Sequence, residues 1–88
     1  MRIDKFLKLS RIIKRRTEAK KACDNRCVTI NGKIAKAADI VRPLDKIIIH
    51  FRNKILEIEV CEVPSGNVAS SQASRMYQIT KEEKLVVE

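Results

Sequence analysis

Apolar residues near the start of the chain, Ile3, Phe6, Leu7, Leu9, Ile12 and Ile13, recur at helical spacing, and Asp4 is placed to cap that helix. At about 100° per residue they spread over more than half of the helical wheel. One straight helix cannot bury that arc, so a break is predicted near Ser10. The opposite side would carry Lys5, Lys8, Arg11 and Arg15, three or four residues apart and therefore stacked on one face. A second helix is predicted from a Thr17 cap to about Asn25, with Glu18 in the first turn, where negative charge suits the helix dipole. Its inward stripe is Ala19, Ala22 and Cys23, small enough to let the two helices approach closely.

From Cys27 the period changes to two. Val28 and Ile30 alternate with Thr29, and Asn31-Gly32 is a strong signal for a two-residue hairpin leading into Lys33 to Lys36. After a turn at Pro43-Leu44-Asp45, Ile47, Ile49 and Phe51 alternate with Ile48, His50 and Arg52. Asn53-Lys54 reverses the chain, and Leu56, Ile58 and Val60 then alternate with Glu57, Glu59 and Cys61. These are antiparallel strands with one buried and one polar face, the polar one carrying Glu57 and Glu59. Pro64 to Ser74 is rich in Ser, Ala, Gly and Asn and reads as a flexible connection. Beyond it, Met76-Tyr77-Gln78-Ile79 can dock on the core, and Thr80-Lys81-Glu82-Glu83 has the capping-box spacing of a last short helix. The expected organisation is one folded domain over residues 1–63, followed by a linker and short tail over 64–88.

Charge changes the picture. The net charge of the 88 residues is +8. Residues 1–54 hold 16 Lys and Arg against 5 Asp and Glu, a balance of +11, while residues 55–88 hold 3 against 6, a balance of −3. A basic region with an acidic remainder is the footprint of polyanion binding, because each neutralised phosphate releases condensed counterions. The competing reading is a solvated surface that keeps the protein soluble. The run Arg11, Lys14, Arg15, Arg16, Lys20 and Lys21 concentrates the cations on the two predicted helices.

Other chemistries find little support. There is no glycine-rich phosphate loop, no second histidine beside His50 for a proton relay and no pair of carboxylates in an apolar setting, so no catalytic residues are assigned. Cys23, Cys27 and Cys61 lack the paired spacing and the fourth ligand of a zinc site, and are expected to be small buried hydrophobes, with no metal and no cofactor. No apolar stretch is long enough to cross a bilayer and no signal-peptide core follows Met1, which predicts a cytoplasmic protein without a membrane partner. Aromatic residues are only 3% of the chain, and Phe6 and Phe51 fall on inward phases. Without stacking platforms, recognition of folded RNA through phosphates, 2′-hydroxyls and shape is favoured over reading of single strands.

Arg2-Ile3-Asp4-Lys5-Phe6-Leu7, Ser10-Arg11, Arg15-Arg16-Thr17-Glu18-Ala19 and Val28-Thr29-Ile30-Asn31-Gly32, in that order and spacing, resemble the S4-type RNA-binding domain family, over Met1 to about Phe51. A copy this short that ends in Met76-Tyr77 and Glu82-Glu83-Lys84-Leu85 resembles in particular the RqcP family of bacterial ribosome-associated quality control factors. The resemblance implies an α+β fold of the αL type, two N-terminal helices packed on a small antiparallel β-sheet. It also implies binding to 23S rRNA of the large (50S) ribosomal subunit and to peptidyl-tRNA, in support of C-terminal alanine tailing by an RqcH-type tailing factor, a role in protein biosynthesis played without enzymatic activity. Motif match carries the RNA contacts to Arg2, Lys5, Lys8, Arg11, Arg15 and Arg16, and the basic run adds Lys20. A monomer is expected.

Two departures bear on the loops. Arg26-Cys27 stands where the family has Gly-Arg, leaving Asn25 or Arg26 to make a left-handed turn, and Pro43-Leu44-Asp45 stands where it has Pro-Gly-Asp. Alternatives stay open. A relative of heat-shock protein fifteen would also bind large subunits, but that protein has a longer basic C-terminal extension, whereas this tail is short and acidic. A detached RNA-binding appendage of a pseudouridine synthase or tyrosyl-tRNA synthetase would belong to a longer chain, against which Met1 opening the motif and Glu88 closing the chain are expected to count. DNA binding is compatible with the charge but lacks a helix-turn-helix pattern.

Overall fold

The predicted break near Ser10 is where the first helix ends. In a computed structural model that describes residues 1–65 and 70–86, α1 spans Ile3–Leu9 and α2 spans Arg16–Asp24. Ile3, Phe6 and Leu7 are fully buried on the inner side of α1. The Ser10 Oγ donates to the Leu7 carbonyl at 3.1 Å, and the Ile13 N–H donates to the same oxygen at 3.1 Å. Arg11 lies between them at φ +64 and reverses the chain, which swings Ile13 back into the core. The one-face stack of Lys5, Lys8, Arg11 and Arg15 therefore does not form: only Lys5 and Lys8 ride on α1.

Two predicted caps also move. The residue preceding α1 is Arg2, and Asp4 lies inside the helix as a buried side chain rather than capping it. The second helix begins at Arg16, one residue before Thr17, with Arg15 at its N-cap and no side-chain cap bond there. At its far end the Arg26 N–H donates to the Cys23 carbonyl at 3.0 Å and the Cys27 N–H to the Ala22 carbonyl at 2.9 Å. This is a Schellman closure, and its left-handed residue is Arg26 at φ +60.

A five-stranded antiparallel sheet underlies the helices, with strands β1 (Val28–Ile30), β2 (Lys33–Ile34), β3 (Lys46–His50), β4 (Lys54–Val60) and β5 (Tyr77–Lys84) in the order β2-β1-β3-β4-β5. Asn31 (φ +51) and Gly32 (φ +84) make the two-residue turn between β1 and β2, both positive as a type I′ turn requires. Val28 faces Ile49, Ile30 faces Ile47, and Ile47 and Ile49 face Ile58 and Leu56, so one sheet face is apolar from β1 to β4. Phe6, Leu7, Ala19 and Cys23 of the helices pack on it. The segment 35–41 straps the two layers together. Ala35, Ala37 and Val41 are buried, the Asp39 and Ala37 carbonyls accept the N–H groups of Ile3 and Asp4 at 2.8 and 3.4 Å, and the Met1 carbonyl accepts the Val41 N–H at 2.8 Å. Two of the first-turn donors of α1, orphaned in any helix, are thus satisfied by the strap.

The short helix expected at Thr80 to Glu83 is instead the middle of β5. A single turn of helix gains little by itself, whereas the free edge of β4 offers a ladder of backbone partners along its whole length. Tyr77 and Ile79 pair with Val60 and Ile58, Lys54 bridges Glu82 at 3.2 Å, and at the irregularity beside Glu57 the Thr80 hydroxyl donates to the Glu57 carbonyl at 3.1 Å. Of the stretch expected to be a flexible connection, residues 66–69 lie outside those described, and Ser70–Arg75 form a 3-10 helix. Met76 follows, 1% exposed and docked on the core as its apolar character predicts. Met76→Ala should lower the free energy of unfolding by roughly 2–5 kcal/mol, the cost of a large-to-small change at a buried site, and chemical denaturation followed by circular dichroism measures it.

Candidate nucleic-acid interface

Asp4 is the only buried carboxylate among the described residues, its side chain 4% exposed. A carboxylate taken out of water needs close partners. It has three: the Lys5 N–H at 2.7 Å, the Arg2 guanidinium at 3.2 Å and the Arg16 guanidinium, through two nitrogens, at 3.4 Å. Arg2 precedes α1 and Arg16 opens α2, so one buried anion fixes the N-terminal ends of both helices side by side. Each arginine side chain remains about half in solvent, 46% and 47% exposed. An arginine carries five N–H donors, and those not spent on Asp4 stay available to an outside acceptor such as a phosphate oxygen.

Around this core the predicted cations separate into two open depressions. Arg2, Lys5 and Arg16 line the first, with Met1 and Ile40 of the strap, in a hollow of about 490 Å³. Lys8, Arg11 and Lys14 line the second, with Leu9 as its apolar member, in a hollow of about 370 Å³. Lys5 and Lys8, one turn apart on α1, join the two. Arg15 and Lys20 line neither: Arg15 is exposed at the start of α2, and Lys20 is exposed one turn after Arg16 on the same helix. The sequence reading left out Lys14, although its place in the basic run signalled it. It also missed Ile40, whose role depends on the bridge between Arg2 and Ile40, a long-range pairing that no local pattern shows.

The arrangement suits binding rather than chemistry. The face is cationic, shallow and open, with no enclosed cleft holding an acid and a base. Of the three free cysteines only Cys23 fits the expectation of burial; Cys27 is half-buried and Cys61 exposed. Burial, reinforced by the nearby carboxylate of Asp4, pushes the Cys23 thiol up to about 11.

Two outcomes follow for the site and its support. In the single variants Arg2→Ala and Arg16→Ala the Asp4 carboxylate keeps one guanidinium, but in the double variant it loses both. The double variant should therefore lose roughly 1 kcal/mol or more beyond the sum of the single losses, read from a double-mutant cycle of unfolding free energies. For Cys23, the folded-state value lies above the unfolded one, so the stability it contributes is present below about pH 9 and is lost as pH rises towards about 11. A maleimide at neutral pH should label Cys61 first and leave Cys23 unmodified in the native protein, as mass spectrometry of the peptides would show; rapid native labelling of Cys23 would refute the assignment.

Comparison with known proteins shows the family and the fold. The sequence matches the S4 domain family over residues 1–47. A protein of Halalkalibacterium halodurans named RQC P-site tRNA stabilizing factor is 44% identical over 85 residues, 97% of this chain and 96% of the relative. A Bacillus subtilis protein of the same name is 46% identical over 85 residues, 97% of this chain and 98% of the relative. In structure, the chain superposes on Heat Shock Protein 15 of Vibrio cholerae with a TM-score of 0.81 at 23% identity, covering 91% of this chain and 81% of that one, a likeness of fold.

Proposed function

This chain belongs to the S4 domain family, and from that membership and the names of its relatives we propose that it is a non-catalytic RNA adaptor of ribosome-associated quality control, stabilising tRNA in the P site of stalled large subunits. In this reading the α1–α2 face grips the backbone of the tRNA and of the adjoining 23S rRNA, using Arg2, Lys5, Lys8, Arg11, Arg15, Arg16 and Lys20. By holding the peptidyl-tRNA it assists an RqcH-type tailing factor that adds alanines to the C-terminus of the nascent chain. It acts in the cytoplasm, as a monomer, without cofactor or metal.

The observation that carries the proposal is the pair of half-exposed arginines held by one buried carboxylate, both lining the same cationic hollow. Pre-set guanidiniums lose less conformational freedom on meeting a phosphate than free surface chains do. The shallow, cation-lined shape fits a nucleic-acid backbone, and the shortage of exposed aromatic rings fits recognition by shape.

A shaped face is distinguishable from a merely cationic one. Lys8→Ala removes a cation of the proposed face without touching Asp4, and Arg16→Ala removes one that also supports the fold. Lys46 is exposed at the start of β3 and points away from the buried row of Ile47 and Ile49, on the side of the sheet opposite the helices. Affinity for purified large subunits carrying P-site tRNA, measured at one fixed salt concentration with folding checked for each variant, should fall by roughly 1–3 kcal/mol for Lys8→Ala and Arg16→Ala. Lys46→Ala should cost well under about 1 kcal/mol, a screened long-range contribution. Equal losses at all three positions would reduce the protein to a non-specific polycation and withdraw the assignment.

A further inference from the structure

Both helices end in the same uncommon way. The residue after each C-cap must turn left-handed, a conformation that costs a side-chain-bearing residue and costs glycine almost nothing. Glycine is the usual occupant. Here the position is arginine twice: Arg11 at φ +64 after α1 and Arg26 at φ +60 after α2. The backbone bonds of the closure, Arg11 N–H to the Lys8 carbonyl at 3.1 Å and Arg26 N–H to the Cys23 carbonyl at 3.0 Å, would form equally well with glycine. A choice against local preference repeated at two equivalent positions points to a use for the side chain.

Arg11 already lines a hollow of the proposed RNA-binding face. Arg26 lines another, of about 560 Å³, together with Lys36 as a second cation, one carboxylate, Asp24, and Cys23, Ile34 and Ala35. Arg26 is exposed, and its guanidinium makes no ion pair among the described residues. Ile34 is 55% exposed, an uncovered apolar side chain beside two cations, which suits the alternation of sugar and phosphate along a nucleic-acid strand. This hollow is joined to the main face by the strap: Lys36 lines the one and Ile40 the other, and four residues of chain span at most about 14 Å.

We propose that Arg26 and Lys36 form a second phosphate-contacting site, which takes a further backbone segment of the same RNA held by the α1–α2 face. The proposal rests on the reading of that face as RNA-binding. The structural alternative is that Arg26 only complements the negative end of the α2 dipole, as cations near helix C-termini do.

The test exploits opposite signs. Arg26→Gly relieves the left-handed strain, so Tm should rise by roughly 4–8 °C. The same substitution should weaken binding to purified large subunits carrying P-site tRNA by about five- to tenfold, and flatten the log–log salt dependence by about one unit. Lys36→Ala, which leaves the turn untouched, should weaken binding by a similar factor with Tm unchanged. Binding of wild-type strength in both variants would overturn the second site and leave the main face standing. A wild-type chain that fails to bind at all, or binds with a flat salt dependence, would sink the reading of the main face and this one with it.

Discussion

A single carboxylate in the apolar layer organises this molecule. Asp4 is almost wholly withdrawn from water, and a charge in that position is tolerable only while its partners stay close. The demand is met from two directions, by Arg2 before the first helix and Arg16 at the start of the second. Satisfying the acid therefore sets the relative placement of two helices too short to be stable alone. The same contacts hold two guanidiniums at the surface in fixed positions. In the proposed function, support and recognition are served by the same atoms, and the acid at the centre of a basic face removes one unit of charge and supplies direction to two.

The sheet was largely legible in the sequence because its signals are local. The Asn31-Gly32 turn and the alternation through Ile47 to Val60 each depend on near neighbours, and the observed register follows them. The break after Leu9 was legible too, since six apolar residues overfill one face. Where the reading failed, the deciding partner was remote. Thr80 to Glu83 carries the composition of a helix start, yet the open edge of β4 claims it. Asp4 has the type and place of a cap, yet a guanidinium twelve positions along the chain makes it a buried ion. The cations stand out in the sequence as a group; their division into two hollows depends on the turn at Arg11 and on the strap, which no periodicity announces.

Left-handed residues mark a third kind of information. Besides Gly32, the chain turns left-handed at Arg11, Arg26, Asn31 and Leu44. Asn31 explains itself: its side chain donates to the Asp45 carboxylate at 3.0 Å and accepts the Lys46 N–H at 2.9 Å, tying the hairpin to the neighbouring loop. Leu44, at φ +74 and 75% exposed, gains no such bond from its side chain; it is the third residue of a turn closed by the Asp45 N–H donating to the Arg42 carbonyl at 3.2 Å, with Pro43 second, and a type II turn requires a left-handed residue at that place. A sequence can flag such positions only by a missing glycine, as it did at Arg26 and Leu44; which of several residues takes up the strain is settled by the backbone.

The strap has a consequence for portability. The N–H groups of Ile3 and Asp4 are held by the carbonyls of Asp39 and Ala37, and the Met1 carbonyl by the N–H of Val41. Residues more than thirty positions apart thus share one set of hydrogen bonds at the foot of the basic face. A peptide cut to the two helices would keep most of the charge and lose the frame that orders it. Such an excised hairpin would behave towards RNA as an unstructured basic oligomer, so the proposed recognition surface is a property of the whole fold and cannot be transplanted as a linear epitope.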